Sequence, residues 1–194
     1  MARSGERKTQ ILQTLAQMLE GPSAERITTA ALAARIGVSE AALYRHFKGK
    51  ADMFAGLIDF VEDTLFTLIN KITSDEQSCL RQAEAIIGML LGFAQKNRGM
   101  TRVLIGDALV TEDNALQTRI NQIHDRLEAA LKQALRFAAT RGEIAADVEP
   151  AAEANALMSF VAGRWHQYAK SGFRRDPAEF WQQQWKQLTA GVIA

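Results

Sequence analysis

Arg45, His46 and Lys50 lie within six residues of one another, and the groups they carry suit contact with a polyanion rather than bond-making. Arg45 has the one side chain in its stretch able to form a bidentate pair with a guanine edge. Ala41 and Ala42 are too small to hydrogen-bond a base and can only touch a thymine methyl. His46 packs or bonds a phosphate, and a lone neutral imidazole is the weaker base reader. Lys50 stands at the expected start of a helix, where its ammonium and the free backbone N–H groups can together hold one phosphate. Thr28 and Thr29 stand at an earlier helix start, as caps that can also meet a phosphate. Much of this surface therefore positions the chain on double-stranded DNA, and few of its residues could specify sequence.

Other chemistry finds little support. His46, His124 and His166 are far apart and none has metal-ligand spacing. Cys79 has no neighbouring base and lies in a polar break, and no glycine-rich phosphate loop follows a strand. The expectation is a chain that is not an enzyme and needs no cofactor or metal.

The elements that must position these groups are two short helices and a tight turn. Over 30–36, Ala30, Ala31, Leu32, Ala33 and Ala34 favour helix, and Leu32 and Ile36 share one apolar face. Gly37 sits where a helix end needs a left-handed residue without a Cβ. Val38 plugs the angle, and Ser39 is placed to cap the second helix. Leu43 and Phe47 face inward with Ala42, leaving Glu40, Ala41, Tyr44, Arg45 and His46 outside. This is a helix-turn-helix pattern, whose second helix enters the major groove.

The 194 residues carry a net charge of only +1, but the charge is divided. The first fifty residues hold eight basic and four acidic groups, the remainder fifteen basic and eighteen acidic. A basic head on a mildly acidic body is the footprint of a nucleic-acid-binding domain joined to one that binds something else. The boundary is placed at 1–50 and 51–194. One cysteine excludes an intrachain disulfide and fits a reducing cytosol. No secretory leader and no run long enough to span a bilayer is evident, so no membrane is expected.

Periodicity predicts about nine helices and an all-α fold. The first covers 6–20, with Ile11, Leu12, Leu15, Met18 and Leu19 on one face and Gly21-Pro22-Ser23 ending it; residues 1–5 read as a solvated tail, from which Arg3 could reach DNA. A long connector follows over 51–73, in which Phe60 and Phe66 read as core before partner contacts. In the helix over 80–97, Gly88 and Gly92 suggest close approach by another helix or a partner. Asn97-Arg98-Gly99 ends it, and a short helix covers 101–109. A helix over 112–141 steps its apolar residues by three and four, with Arg119 and a Glu128–Lys132 pair on the other face, and would also fit a short coiled coil. The last two helices cover 150–170 and 177–192. They combine a ridge of small residues including Gly163 with Leu157, Phe160, Trp165, Trp181 and Trp185. That exceeds what the end of a small domain needs to hide, so these residues are read as a homodimer face.

The run Ser39 to Lys50, with Leu43-Tyr44-x-His46-Phe47-x-x-Lys50, resembles the end of the DNA-binding domain of TetR-family bacterial regulators. The resemblance implies an all-α TetR-like fold, a three-helix head on a helical dimerisation body, and a Tyr44 hydroxyl on a backbone phosphate. Further stretches lie outside the part common to all TetR-like proteins. They include Met53-Phe54, Phe60, Leu90-Leu91-Gly92-Phe93, Asn97-x-Gly99-x-Thr101-Arg102 and Arg119-Ile120-Asn121-Gln122. These resemble a branch that acts in nucleoid occlusion. Its members bind chromosomal sites as dimers and antagonise the tubulin-like division protein FtsZ. That resemblance implies a nucleoid-associated cytoplasmic protein with a partner surface near Phe60, Gly92, Lys96, Asn97 and Arg102. The competing expectation is a repressor released by a small-molecule ligand, in a pocket lined by Phe66, Met89, Phe93 and Trp165 with His124 as polar contact.

Overall fold

The computed structural model describes residues 4–21, 27–109 and 114–193. Among them are nine α-helices and a single turn of 3-10 helix. The helices are α1 (Ser4–Met18), α2 (Thr29–Ile36), α3 (Glu40–Tyr44), α4 (Lys50–Asp75) and α5 (Cys79–Lys96). Then come α6 (Arg98–Leu104), the 3-10 turn Asp107–Leu109, α7 (Asn114–Thr140), α8 (Pro150–Lys170) and α9 (Trp181–Leu188). Arg3, Pro22 and Ser23 lie outside the described residues.

The chain divides into two compact units. One comprises Met1–Glu62 with Asn97–Ile120, the other Asp63–Lys96 with Asn121–Ala194. The division falls inside α4 and α7, so the DNA-binding head shares its unit with α6, which sequence reasoning assigned to the body.

In the first unit α1 packs on α2 and on α6. The apolar stripe of α1 is buried through Ile11, Leu15 and Leu19. Helix α1 begins at Ser4, so Ser4 and Gly5 are helical rather than part of a tail. The sequence Asn97-Arg98-Gly99 ends α5 at Lys96, as expected, but releases no loop. Only Asn97 interrupts, and α6 starts at once. The cause is packing: Gly99 is buried, and a Cβ there would overlap the carbonyl oxygen of Ala16. Gly106, at φ +77°, ends this stretch after Ile105, which is why a single helix does not reach 109. Arg119 is not a solvated residue of α7. Its guanidinium is 2.6 Å from Asp59 Oδ1 and 3.4 Å from Glu62 Oε2, an ion-pair network on α4.

In the second unit α5 packs on α8. Trp165 is fully buried, and its indole N–H donates to the Leu90 carbonyl at 3.1 Å. Gly88 is the close approach its type suggested, since a Cβ there would lie 3.0 Å from Nε1 of Trp181. Gly92 is not: nothing lies within 4 Å of a Cβ built on it. Cys79 is buried rather than set in a polar break, clustered with Ala138, Ile144 and Val192. Its N–H and that of Leu80 donate to the Glu143 carboxylate at 3.2 and 2.8 Å, closing the start of α5. Glu128 accepts from the Asn155 amide at 3.0 Å. The final helix is shorter than its apolar pattern, because Pro177 to Phe180 form turns and Phe180 takes a left-handed φ of +63°.

Candidate nucleic-acid interface

The head is assembled by short-range contacts that its residue types dictate. Thr28 has extended backbone and caps α2, its Oγ1 accepting from the Ala31 N–H at 3.1 Å. Gly37 is left-handed at φ +79°, and its N–H donates to Ala33 O at 2.9 Å, while the Val38 N–H reaches the same carbonyl at 3.0 Å. Ser39 then caps α3 by accepting from the Ala42 N–H at 3.3 Å. Leu43 and Phe47 are buried, Ala42 and His46 are half-buried, and Glu40, Ala41, Tyr44 and Arg45 are exposed. The predicted division therefore holds for Leu43 and Phe47 inside and for Glu40, Ala41, Tyr44 and Arg45 outside, while Ala42, expected inside, and His46, expected outside, both sit at the boundary.

A polar chain joins the two helices across this surface. The Thr29 hydroxyl donates to Glu40 Oε2 at 2.7 Å, and the Tyr44 hydroxyl donates to Thr29 Oγ1 at 3.3 Å. Thr29 is therefore more than a cap alternative: it holds Glu40 and orients the phenol, which is 49% exposed. The Lys48 N–H donates to Asp52 Oδ2 at 2.9 Å, satisfying a backbone donor at the start of α4. Lys50 is the first residue of that helix, with its ammonium 5.6 Å from the Phe54 ring centre.

Two cations here escaped sequence reasoning. Arg7 of α1 lines a cleft of about 320 Å³ with Arg45, His46, Ile11, Val38, Ala42 and Leu43. Lys8 lies over the Phe47 ring at 5.1 Å. The available signal was that Arg7 precedes Ile11 by four residues, on the stripe that faces the motif.

The other predicted surfaces divide. Phe60 is not core, being 49% exposed; Lys96 is exposed, and Gly92 and Asn97 are half-exposed. Arg102 cannot present a partner surface. It is buried at 7% exposure, donates to Gly21 O at 2.9 Å and stands 3.9 Å from Asp107. On the presumed dimer face Leu157, Trp165, Trp181 and Trp185 are buried within their own unit. Trp181 and Trp185 meet at a tilt of 52° with ring centres 5.5 Å apart. Within the single chain these large side chains fill a core of their own unit. What α8 leaves outside is a ridge of Ala152, Ala156, Ser159 and Gly163, edged by half-exposed Phe160.

The ligand-pocket expectation fares similarly. Phe66 lies against Arg126, whose guanidinium carbon is 3.9 Å from the ring centre. Phe93 and Trp165 are buried, and His124 meets Trp165 edge-on at 5.7 Å. Met89 instead lines an open groove of about 360 Å³ with Leu68, Lys71, Ile72, Asp75, Glu76 and Ala85.

A head of this geometry on an all-helical body defines a TetR-type DNA-binding regulator. Residues 11–57 match the model of bacterial regulatory proteins of the tetR family, and residues 77–192 match the SlmA-like tetracyclin repressor-like C-terminal domain. The nucleoid occlusion factor SlmA of Marinomonas sp. (strain MWYL1) is 46% identical over 191 residues, 98% of this chain and 97% of its own. That of Alteromonas mediterranea is 49% identical over 179 residues, 92% of each chain. A solved structure of the fatty acid degradation regulator FadR from Bacillus halodurans shares the fold, at a TM-score of 0.80 over 98% of both chains with 14% identity. The chain belongs to the SlmA nucleoid occlusion factors of the TetR family.

Proposed function

We propose that this chain binds specific chromosomal duplex sites as a homodimer and, so bound, antagonises assembly of FtsZ over the nucleoid. What carries the reading is likeness to nucleoid occlusion factors that runs through the body as well as the head. In the head, Arg45 reads a guanine; Ala41 meets a thymine methyl, with Ala42 at its edge. Thr28, Thr29, Tyr44, His46 and Lys50 bind phosphates, and Ser39 and Glu40 hold the presenting surface. Two-fold pairing through the small-residue ridge of α8 sets two such helices about 34 Å apart, one turn of duplex. The α5 face carrying Ala85, Met89, Gly92 and Lys96 at steps of four, three and four is the surface offered to FtsZ; Phe60 and Asn97, which belong to the other unit, are separate candidate contacts. The protein then resides in the cytoplasm on the nucleoid.

Sedimentation of FtsZ polymers with the protein and a bound duplex tests this. The unmodified chain should reduce the pelleted polymer, and Lys96→Glu combined with Asn97→Ala should restore it while duplex affinity stays unchanged. Polymer that is indifferent to the DNA-bound protein would refute the FtsZ half of the proposal. A ligand-released repressor has less support, because three of its four proposed apolar lining residues are packed against protein.

A further inference from the structure

The connector between α8 and α9, residues 171–180, is fixed from three directions inside its own unit. At its start the Ser171 hydroxyl accepts from the N–H groups of Arg174 and Arg175, at 3.1 and 3.0 Å, and donates to Tyr168 O at 2.8 Å. In its middle Asp176 accepts from the Gln95 side chain at 2.7 Å and from the Ala178 N–H at 2.8 Å. Towards its end Arg164 of α8 gives its guanidinium to main-chain carbonyls: Nε to Pro177 at 3.0 Å, and Nη2 to Asp176 and Glu179 at 2.8 and 2.9 Å. Two residues with side chains, Phe173 and Phe180, are held at φ +62° and +63°, a region that L residues rarely adopt. A passive link between two helices requires none of this.

The frame holds a particular set of groups outward. Arg174 and Arg175 are exposed, as is Lys170 in the last turn of α8. The Tyr168 hydroxyl donates to Gln95 O at 3.2 Å, which brings the end of α5, with exposed Lys96, to the same place. Phe180, 61% exposed, ends the connector. Lys96 and Lys170 are accounted for by the negative ends of their helices. Arg174 and Arg175 lie beyond the end of α8, and Asp176, the nearest acid in sequence, has both carboxylate oxygens engaged.

We propose that this connector is a docking surface for an acidic polypeptide segment. Arginine and an exposed aromatic on a rigid loop are the side chains that dominate protein-binding surfaces. The patch is short, and its basic side chains match a few acidic ones better than a long phosphate backbone running past. An exposed phenyl group finds an apolar counterpart on a polypeptide but none on a phosphate backbone. Neither DNA binding nor the proposed effect on FtsZ uses residues 170–175; Lys96 at the edge of the patch belongs to the proposed FtsZ surface, so the test is confined to Arg174 and Arg175.

The test is fluorescence anisotropy of a labelled oligoglutamate with the full chain at low salt. Arg174→Gln with Arg175→Gln should weaken binding about tenfold or more, Arg174→Glu with Arg175→Glu further, and Arg174→Lys with Arg175→Lys much less. Lys132→Glu with Arg136→Glu, an equal charge reversal at exposed sites on α7, should change it less than about twofold. Equal losses at both sites, or no loss in the glutamine pair, would overturn the proposal. So would a matching loss of affinity for operator-free duplex or for phosphatidylglycerol vesicles, which would assign the patch to phosphate.

Discussion

The helix-turn-helix and the α5–α8–α9 core are both made of apolar helices, yet they distribute side chains by opposite logic. In the head, aliphatic and small residues bury themselves while the large polar-tipped groups, Tyr44 and Arg45, stay outside. Most of its fixing bonds are local, spanning three or four residues from Thr28 to Ala31, Ala33 to Gly37 and Ser39 to Ala42. In the core the largest side chains go inside, and their polar atoms are satisfied by distant partners, as when the Trp165 indole reaches Leu90 across 75 positions. A surface that meets a ligand can thus be read from neighbouring residues, whereas a surface that meets the protein's own interior cannot.

Several substitutions would break or sharpen this contrast. Trp165→Ala should have the largest effect, about 3–5 kcal/mol lost in urea unfolding, because it empties a site in the core. Loss of self-association with subunit stability intact would instead return Trp165 to the dimer face. Gly99→Ala should follow, costing about 1–3 kcal/mol or more, since the overlapped atom is a backbone carbonyl that cannot rotate away. Gly92→Ala is its counterpart in the second unit. With open space around it, thermal unfolding should show a gain of up to about 1 kcal/mol from helix propensity. A loss there would mean that the open space had been misjudged. Ser39→Ala should cost about 1 kcal/mol as a lost cap, and duplex affinity should fall with it, while Thr28→Ala repeats the effect on α2.

The pH dependence should be smaller still, and it belongs to the half-exposed Glu143 that closes the start of α5. Burial raises the Glu143 pKa, but hydrogen bonds from Leu80 N–H, the Ser78 hydroxyl and Cys79 N–H, with the Arg141 charge, outweigh it and leave the carboxyl below its ordinary value. A group depressed in the folded state adds stability above its unfolded pKa and loses it as pH falls through the folded one. Glu143→Gln should therefore flatten the acid limb of the stability profile and leave the neutral plateau shape unchanged. An unaltered acid limb would remove Glu143 from the account.

This contrast also explains what could be read in advance. Gly37, Ser39, Leu43 and Phe47 each announce their place, because a left-handed turn, a cap and an inward helix face are decided by neighbours within one turn. The helices were legible for the same reason, through spacing of three and four. Arg102 was not, since a buried arginine and an exposed one look alike until Gly21 O and Asp107 are brought to it. The tryptophans of α8 and α9 announced a large apolar area but not its direction. Gly92 and Gly99 are the same residue type in helices, and only the tertiary neighbour, Ala16 in one case and open space in the other, tells them apart. Arg7 joined the motif's cleft only once α1 was laid against it.

The most direct test is to map the bound chromosomal sites and measure affinity for one such duplex and for single-base variants of it. Arg45→Ala should lose about 1–3 kcal/mol and relax the preference at one guanine, whereas Lys50→Ala should weaken every duplex alike and lower the salt slope by about one. Affinity and base preference that survive both substitutions would contradict the claim that the segment from Ser39 is what this chain lays against DNA.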